Sequence, residues 1–167
     1  MGTHHWQFTA RMEGSTPEVI FDLIADMPNY RRWLPHSMEF DRITEVSPYP
    51  VRLGTTSLDA GPLGQRPGAV TRFERPEHID FHLTWLFKRG RLIANLDIQI
   101  RYTLELIERA TRVIRDYNLT VRIPGLVKVL GPLVAYEARR ENARILRSLK
   151  RYVEAQPGVD APSPPDG

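Results

Sequence analysis

The side chains most suited to binding chemistry are a few polar groups that share the apolar faces of predicted strands. In a strand, every second residue lies on the same face. These groups are the indole of Trp85, the hydroxyls of Tyr102 and Tyr117 and the guanidinium of Arg115, with a possible amide from Asn142 of a later helix. A mainly apolar pocket with a few convergent polar groups is typical of a small-molecule site.

Arg115 is the most unusual of these residues because it places a charge on an apolar strand face. Burying a charge without a partner is unfavourable. The guanidinium could receive a ligand carboxylate or phosphate through two parallel hydrogen bonds. It could instead lie near the start of its strand and extend into solvent along its aliphatic stem. We prefer the second interpretation, since arginine is rarely buried.

The sequence predicts few groups for catalysis. The carboxylates of the long strands fall on the faces opposite the apolar ones, so we expect no buried pair of acids for general acid–base chemistry. These carboxylates are Asp80, Asp97, Glu105 and Asp116. If the protein is an enzyme, Tyr102, Arg115 or Tyr117 would polarise a ketone or stabilise an enolate.

Metal and nucleotide sites are not predicted. The chain has no cysteine. His78 and His82 share the outward strand face, and we interpret both as solvated residues rather than metal ligands. The motifs HExxH, GxxxxGK[ST], GxGxxG and GxSxG do not occur. We therefore expect no metal and no cofactor.

The first elements are a strand and two short helices. Residues 6–12 alternate between apolar and polar types, which predicts a strand with one buried face. Ser15 or Thr16 is expected to cap the following helix, and Ser15 with Glu18 matches a capping box. Residues 29–34 are predicted to form a second short helix.

The middle of the chain predicts β-structure throughout. Six candidate strands are separated by short turn-like breaks. They cover residues 39–46, 54–60, 69–75, 79–87, 92–107 and 112–122. Consecutive strands with tight connections predict an antiparallel meander. One apolar face of such a sheet needs a cover, and only the C-terminal helix is long enough.

That helix is predicted over residues 132–155, with Gly131-Pro132 at its start. The short apolar segment 126–130 before it has three open interpretations: a lid at the cavity mouth, a transient contact with a membrane surface, or a connector that packs in the core. A single domain is expected over residues 1–155. The Pro-rich tail, residues 156–167, is predicted to be disordered.

The predicted cavity lies between the sheet and this helix. Strand parity, the helix face and the aromatic ending of the second short helix select its lining. The predicted lining is Trp33, Phe81, Leu83, Trp85, Ile100, Tyr102, Leu104, Arg115, Tyr117, Leu119, Leu130, Leu133 and Asn142. The aromatic members could instead fill a solid core, since protein interiors are close-packed.

The order of elements resembles the START-like (SRPBCC) superfamily, which includes polyketide cyclases, lipid-transfer domains and pollen-allergen-like carriers. Residues 15–24, followed by Asn-Tyr-Arg-Arg-Trp-Leu-Pro at 29–35, are similar to the entry helices of that family. Residues 72–81 are similar to its strand–turn–strand segment, and residues 131–133 with 149–154 to its last helix. The resemblance implies an α+β helix-grip fold, in which a curved antiparallel sheet wraps around a long C-terminal helix.

The resemblance also implies that the chain binds a small hydrophobic molecule, such as a lipid, a quinone or a polyketide-like aromatic, as a carrier or sensor. The alternative is a polyketide cyclase, aromatase or dehydratase that acts in the same cavity. A fold by itself does not decide between these functions.

Composition narrows the location and the partners. Lys and Arg number 23 against 20 for Asp and Glu, a net charge of +3. The basic residues near the C-terminus are interpreted as a solvated helix face, so no nucleic-acid partner is expected. No signal peptide or bilayer-spanning segment is predicted, which makes the cytoplasm the expected location. The sequence does not indicate an oligomeric state.

Overall fold

The computed structural model describes residues 1–89, 92–123 and 127–156. It has the predicted α+β class: seven strands, two short helices after the first strand and a long C-terminal helix. The strands are β1 (Gly2–Glu13), β2 (Arg42–Ser47), β3 (Thr56–Gly61), β4 (Gly64–Glu74), β5 (His78–Arg89), β6 (Leu92–Ile107) and β7 (Ala110–Arg122). The helices are α1 (Pro17–Ala25), a 3₁₀ helix (Met27–Arg32) and α2 (Val127–Ala155).

The strands form one antiparallel sheet in the order β1-β7-β6-β5-β4-β3-β2. Each strand from β2 to β6 pairs with the next strand in sequence, and β1 forms one edge of the sheet beside β7. Helix α2 crosses the inner face and contacts β1 and β7. This arrangement is the helix-grip fold, and it confirms the predicted meander with its helical cover.

Strand parity explains which side chains face α2. Every second residue of β7, from Val113 to Val121, is buried. The same alternation buries Leu96, Ile98, Tyr102 and Leu104 of β6. Complete burial of a large apolar side chain stabilises a fold by about 1.5–3 kcal/mol, so this pattern fixes the register of the long strands. Leu106 departs from the prediction, because its side chain is exposed near the end of β6.

Two apolar clusters form the core. The first joins α1, the 3₁₀ helix and the C-terminal half of α2 to the sheet, and the second lies under the N-terminal half of α2. The first includes Met12, Ile20, Phe21, Ile24, Ile79, Leu104 and Leu149, and the second includes Leu96, Ile98, Leu119, Val121 and Ala138. Helix α2 contributes side chains to both clusters.

Helix α2 begins earlier than predicted. It starts at Val127 and continues through Pro132, which removes one backbone hydrogen bond without ending the helix. The segment predicted as a lid is therefore mostly the first turn of α2, and its first residue, 126, lies outside the described residues. Leu133 is 59% exposed, so its predicted place in the cavity is wrong. Of the tail, residues 157–167 lie outside the described part of the chain.

The short helices also differ from the prediction in detail. Thr16 is the cap residue of α1, but its side chain makes no capping hydrogen bond. The backbone oxygen of Ser15 accepts a hydrogen bond from Thr111 Oγ1 of β7 at 2.7 Å, which ties this turn to the sheet instead. The second helix lies two residues earlier than predicted and is a 3₁₀ helix. None of the helices in the described ranges is both long and apolar enough to cross a bilayer.

Candidate functional site

A cavity of about 90 Å³ lies between the inner face of the sheet and α2. Its apolar wall comes from the 3₁₀ helix, the loop before β2 and the central strands. These residues are Met27, Leu34, Phe40, Ile43, Ala69, Phe81, Leu83, Ile98, Ile100 and Ile145. Its polar wall consists of Tyr30, Glu39, Ser57, Asp59, Arg66, Tyr102, Arg115, Tyr117, Glu141 and Asn142. The cavity thus contains far more ionisable groups than the sequence analysis predicted.

The register of the long strands brings the predicted residues together. Phe81 of β5 pairs with Ile100 of β6, which in turn pairs with Tyr117 of β7. Two residues further along the strands, on the same face, Tyr102 pairs with Arg115. Residues opposite each other in neighbouring strands are about 4.5–5.5 Å apart, so these side chains form one continuous surface. Strand parity therefore predicted the floor of the cavity.

Arg115, Tyr102 and Asn142 form the donor cluster. Arg115 is only 3% exposed, which contradicts the preferred prediction that it reaches solvent. Its Nε and Nη2 donate to Asn142 Oδ1 at 2.9 and 2.6 Å, and its Nη1 donates to the Tyr102 hydroxyl. Asn142 Nδ2 donates to the Ala138 oxygen at 2.7 Å, which orients the amide. The cluster is held by neutral partners.

Aromatic rings reinforce this arrangement. The guanidinium carbon of Arg115 lies 4.8 Å from the Tyr102 ring centre and 6.0 Å from that of Tyr117. Such cation–π contacts stabilise a desolvated cation. No carboxylate of the described residues lies within ion-pair distance of Arg115. Its positive charge consequently remains available inside the cavity.

Asp59, Glu39 and Arg66 form the acceptor cluster. Asp59 Oδ2 lies 2.9 Å from Arg66 Nη2, and Glu39 Oε2 lies 3.7 Å from Arg66 Nη1. Arg66 Nη2 also donates to the backbone oxygen of Glu39 at 2.5 Å. Asp59 Oδ1 is enclosed and has no hydrogen-bond partner among the described residues. Two partly buried acids thus share one arginine, an arrangement that was not predicted from the sequence.

Burial controls the pKa values of the acceptor cluster. Desolvation raises the pKa of Asp59 to about 6, although the neighbouring Arg66 opposes this change. Desolvation also raises the pKa of Glu39. A carboxyl group that titrates near neutral pH can both accept and release a proton under ordinary conditions. Asp59 can therefore change its protonation state near neutral pH.

The tyrosines of the cavity are neutral. Burial raises the pKa of Tyr102, raises that of Tyr117 to about 12 and raises that of Tyr30 well above its ordinary value. Each hydroxyl therefore keeps its proton near neutral pH. The Tyr30 hydroxyl donates to the Ile24 oxygen at 2.5 Å. The Tyr102 hydroxyl accepts from Arg115, so its own proton is free to be donated.

The loop 35–41, between the 3₁₀ helix and β2, closes one side of the cavity. Glu141 of α2 accepts from Ser37 Oγ at 2.8 Å, and Arg144 Nη1 donates to the Pro35 oxygen at 2.9 Å. The hydrogen bonds from Arg144 and Ser37 outweigh the burial of Glu141, so the pKa of Glu141 is lowered. A Cβ atom at Gly61 would collide with the Glu39 oxygen, so glycine permits this close approach. The loop is held by both the sheet and the helix.

Seven of the predicted lining residues do line the cavity: Phe81, Leu83, Ile100, Tyr102, Arg115, Tyr117 and Asn142. The other six do not. Trp33, Leu104 and Leu119 are buried in the core clusters, and Leu130 is partly buried against the second cluster. The Trp85 ring centre lies 5.6 Å from the Arg66 guanidinium carbon, and Trp85 does not line the cavity. Among the aromatic residues of the predicted lining, Trp33 is thus a core residue.

None of the residues of the acceptor cluster was predicted from the sequence. One signal was present: Asp59 and Arg66 are equally distant from the turn between β3 and β4, and the structure pairs them directly. A hairpin drawn with this register places opposite charges side by side. Glu39 had no comparable signal, because the prediction assigned it to a strand whereas it lies in the loop 35–41.

The remaining titratable residues lie away from the cavity, as predicted. His82 Nε2 is 2.9 Å from Asp97 Oδ2, and Arg112 pairs with Glu105 at 3.1 Å, all on the outer sheet face. Within the described residues, no group of three or more potential metal ligands comes together.

Comparisons with known proteins identify the fold. No family model matches the sequence, and no curated protein matches it. The structure is similar to Ara h 8.0201, with a TM-score of 0.68 and 12% identity over 93% of this chain and 100% of that one. It is also similar to a START superfamily protein from Mycobacterium smegmatis, with a TM-score of 0.64 and 17% identity over 90% and 97% of the two chains. A third similar structure is DynU16, a protein in the dynemicin biosynthetic locus, with a TM-score of 0.61 and 16% identity over 90% of this chain and 47% of that one. The chain therefore has the START-like helix-grip fold.

Proposed function

We propose that the protein binds a small, mostly apolar molecule in this cavity, as a carrier or sensor, and that Arg115 holds an acidic or carbonyl oxygen of that molecule. The observation that supports this function is a buried arginine that faces an apolar wall and has only neutral partners. Burial of an unpaired charge is unfavourable by several kcal/mol, unless another group compensates for it. A ligand anion would supply that compensation.

The hydrogen-bond geometry leaves room for such a ligand. A guanidinium has five N–H groups. Three of those of Arg115 donate to Asn142 and Tyr102, which leaves two for a ligand oxygen. The proton of the Tyr102 hydroxyl is a further donor at the same place. Together these groups can bind a carboxylate or polarise a ketone.

The size of the cavity sets a second condition. Pockets for drug-sized ligands measure roughly 300–1,000 Å³, whereas this cavity measures about 90 Å³. The present volume accepts several water molecules. A lipid, quinone or polyketide-like aromatic therefore requires the lining side chains or the loop 35–41 to move outward. We expect binding to be accompanied by a rearrangement near that loop.

The first experiment is native mass spectrometry of freshly purified protein, followed by extraction and identification of any bound molecule. A second measurement titrates the protein with anilinonaphthalene sulfonate, an apolar fluorophore that carries an anionic group. We expect saturable binding that is weakened at least tenfold by Arg115→Met. Arg112→Met is the matched control, because Arg112 lies on the same strand but on the outer face.

Binding by Arg112→Met should equal that of the unmodified protein. The proposal is wrong if no molecule co-purifies and the fluorophore does not saturate. It is also wrong in its assignment of Arg115 if the two methionine variants bind equally well.

A second candidate function is acid–base catalysis on a ketone, as in a cyclase or dehydratase. The observation that favours it is Asp59, whose pKa of about 6 suits a general base near neutral pH. DynU16, which has a similar structure, is a protein in a biosynthetic locus. In this reaction Asp59 would take a proton from the carbon beside the ketone. The C–H electrons would form a C=C bond, and the carbonyl electrons would move to the oxygen, which the adjacent Arg66 guanidinium would stabilise.

This candidate is tested by exchange of the protons of 1-phenyl-1,3-butanedione in D₂O, followed by NMR. Catalysis predicts exchange faster than in buffer, at least a hundredfold loss in Asp59→Asn and no change in Asp97→Asn on the outer face. Exchange at the buffer rate with the unmodified protein would exclude proton abstraction from this class of ketone.

A further inference from the structure

The polar groups of the cavity are segregated by their chemistry. The donor cluster supplies N–H and O–H groups from β6, β7 and α2. The acceptor cluster supplies carboxylate oxygens from β3 and from the loop 35–41. Between them lie apolar side chains of β5 and β6, among them Phe81, Leu83 and Ile100. A ligand in the cavity therefore meets the Arg115 and Tyr102 donors in one cluster and the unpaired Asp59 oxygen in the other.

Sheet topology keeps the two clusters apart. β3 and β7 are separated by β4, β5 and β6, which makes four steps between neighbouring strands. At about 4.8 Å for each step, the two strands are roughly 19 Å apart along the sheet. Both clusters nevertheless line the same cavity, because the sheet curves and the long side chains point inward. One small molecule can therefore contact both ends.

Asp59 has an unused acceptor at its end of the cavity. Its Oδ2 is occupied by Arg66, whereas Oδ1 has no partner among the residues that the structure describes. A buried polar atom without a hydrogen bond is unfavourable, and such atoms are uncommon in folded proteins. A hydroxyl that donates to Oδ1 would satisfy this atom.

We propose that the ligand is polar at both ends: a carboxylate or ketone oxygen binds to Arg115 and Tyr102, and a hydroxyl at the far end donates to Asp59. This inference rests on the proposed binding function and adds the substrate class, a hydroxylated aromatic or alicyclic acid or ketone. In this arrangement Asp59 determines specificity for the hydroxyl, and the apolar residues between the clusters hold the ring.

The charge state of Asp59 makes this recognition dependent on pH. The groups that face it are Arg66 of β4, Glu141 of α2, Glu39 of the loop 35–41 and Tyr30 of the 3₁₀ helix. The pKa of Asp59 is near 6, so its carboxylate is mostly ionised at pH 7.5 and mostly protonated at pH 5. Hydrogen bonds to an ionised acceptor are roughly twice as strong as neutral ones. The contribution of the ligand hydroxyl should therefore decrease as the pH falls.

The test compares 3-(4-hydroxyphenyl)propanoate with 3-phenylpropanoate by calorimetry or ligand-observed NMR. The two probes have the same carboxylate and ring and differ only in the hydroxyl, so the ratio of their affinities isolates its contribution. We expect the hydroxylated probe to bind about tenfold more tightly at pH 7.5. The ratio should fall to about threefold or less at pH 5, where both probes keep the carboxylate largely ionised.

Asp59→Asn should reduce the ratio and make it the same at both pH values. Asp97→Asn is the control, because Asp97 lies on the outer face, and its ratio should equal that of the unmodified protein. Equal affinities for the two probes, or an unchanged ratio in Asp59→Asn, would overturn the inference while leaving the binding function intact. If neither probe binds, both the inference and the binding of acidic ligands at Arg115 are overturned.

Discussion

The cavity contains two arginines whose surroundings differ sharply. Arg66 is enclosed by carboxylates, with Asp59 at 2.9 Å and Glu39 at 3.7 Å. Arg115 is enclosed by an amide and a phenol, and none of the carboxylates in the described residues reaches it. Both side chains line the same space. The positive charge of Arg66 is therefore neutralised by the protein, whereas that of Arg115 is not.

This difference separates a structural role from a binding role. Neutralised ion pairs stabilise the position of the loop 35–41, because Arg66 also donates to the Glu39 oxygen. The neutral partners of Arg115 orient its guanidinium without cancelling its charge. A site that must attract an anion needs the second arrangement. Mutation of Arg66 should consequently affect stability more, and mutation of Arg115 should affect ligand binding more.

The largest expected effect is on stability. Arg66→Met leaves the buried carboxyls of Asp59 and Glu39 without their cation, and we expect it to lower the free energy of unfolding by about 3–5 kcal/mol. Arg115→Met removes a buried charge and leaves only neutral partners, so its loss should be about 1–2 kcal/mol. Urea denaturation of both variants at pH 7.5, with Arg112→Met as control, measures the difference.

Binding should show the reverse order. Arg115→Met should weaken binding of an acidic ligand more than Arg66→Met does, provided that both variants are folded at the temperature of the measurement. If Arg66→Met is no less stable than Arg115→Met, the ion pairs of Arg66 do not have the structural role assigned to them.

The sequence predicted one part of this site well, for a physical reason. β5, β6 and β7 are long, regular strands with one apolar face. Because side chains alternate between the two faces of a strand, the sequence shows which residues point inward. Arg115, Tyr102 and Tyr117 were identified in this way. The burial of Arg115 was not, because it depends on Asn142, which approaches from a helix about one turn after Ala138. Parity gives the face of a residue but not its partners.

The acceptor cluster could not be predicted from strand alternation, because its two carboxylates lie on a short strand and in a loop. β2 and β3 have six residues each, and the pairing between them shifts register after Thr44. In this short strand, the apolar Leu58 would suggest that its own face points toward the core. The opposite face, with Ser57 and Asp59, lines the cavity instead. Glu39 reaches the cavity from a loop, where no periodicity applies. The start of α2 was also missed, since a proline near a helix start is tolerated at the loss of one hydrogen bond.

A smaller effect is expected from Asp59, the partner of Arg66: it should make the stability of the protein depend on pH. Asp59 has a pKa of about 6 in the folded protein and an ordinary value of 3.8. Between these values the folded state binds more protons than the unfolded state, so stability decreases as the pH rises from about 4 to 6 and is constant above that range. The difference between the two pKa values corresponds to a change on the order of 2–3 kcal/mol. A carboxyl with its pKa lowered by an ion pair would give the opposite sign.

The measurement is the free energy of unfolding from urea denaturation between pH 4 and 8, for the unmodified protein and Asp59→Asn. The asparagine variant lacks the titrating group, so the difference between the two curves isolates Asp59 from the rest of the chain. We expect the stability of Asp59→Asn relative to the unmodified protein to increase from pH 4 to about 6 and the difference to be constant above that. A difference that is flat from pH 4 to 8 would show that the pKa of Asp59 is ordinary. In that case Arg66 neutralises it completely, and the acceptor cluster offers a ligand only a fixed charge.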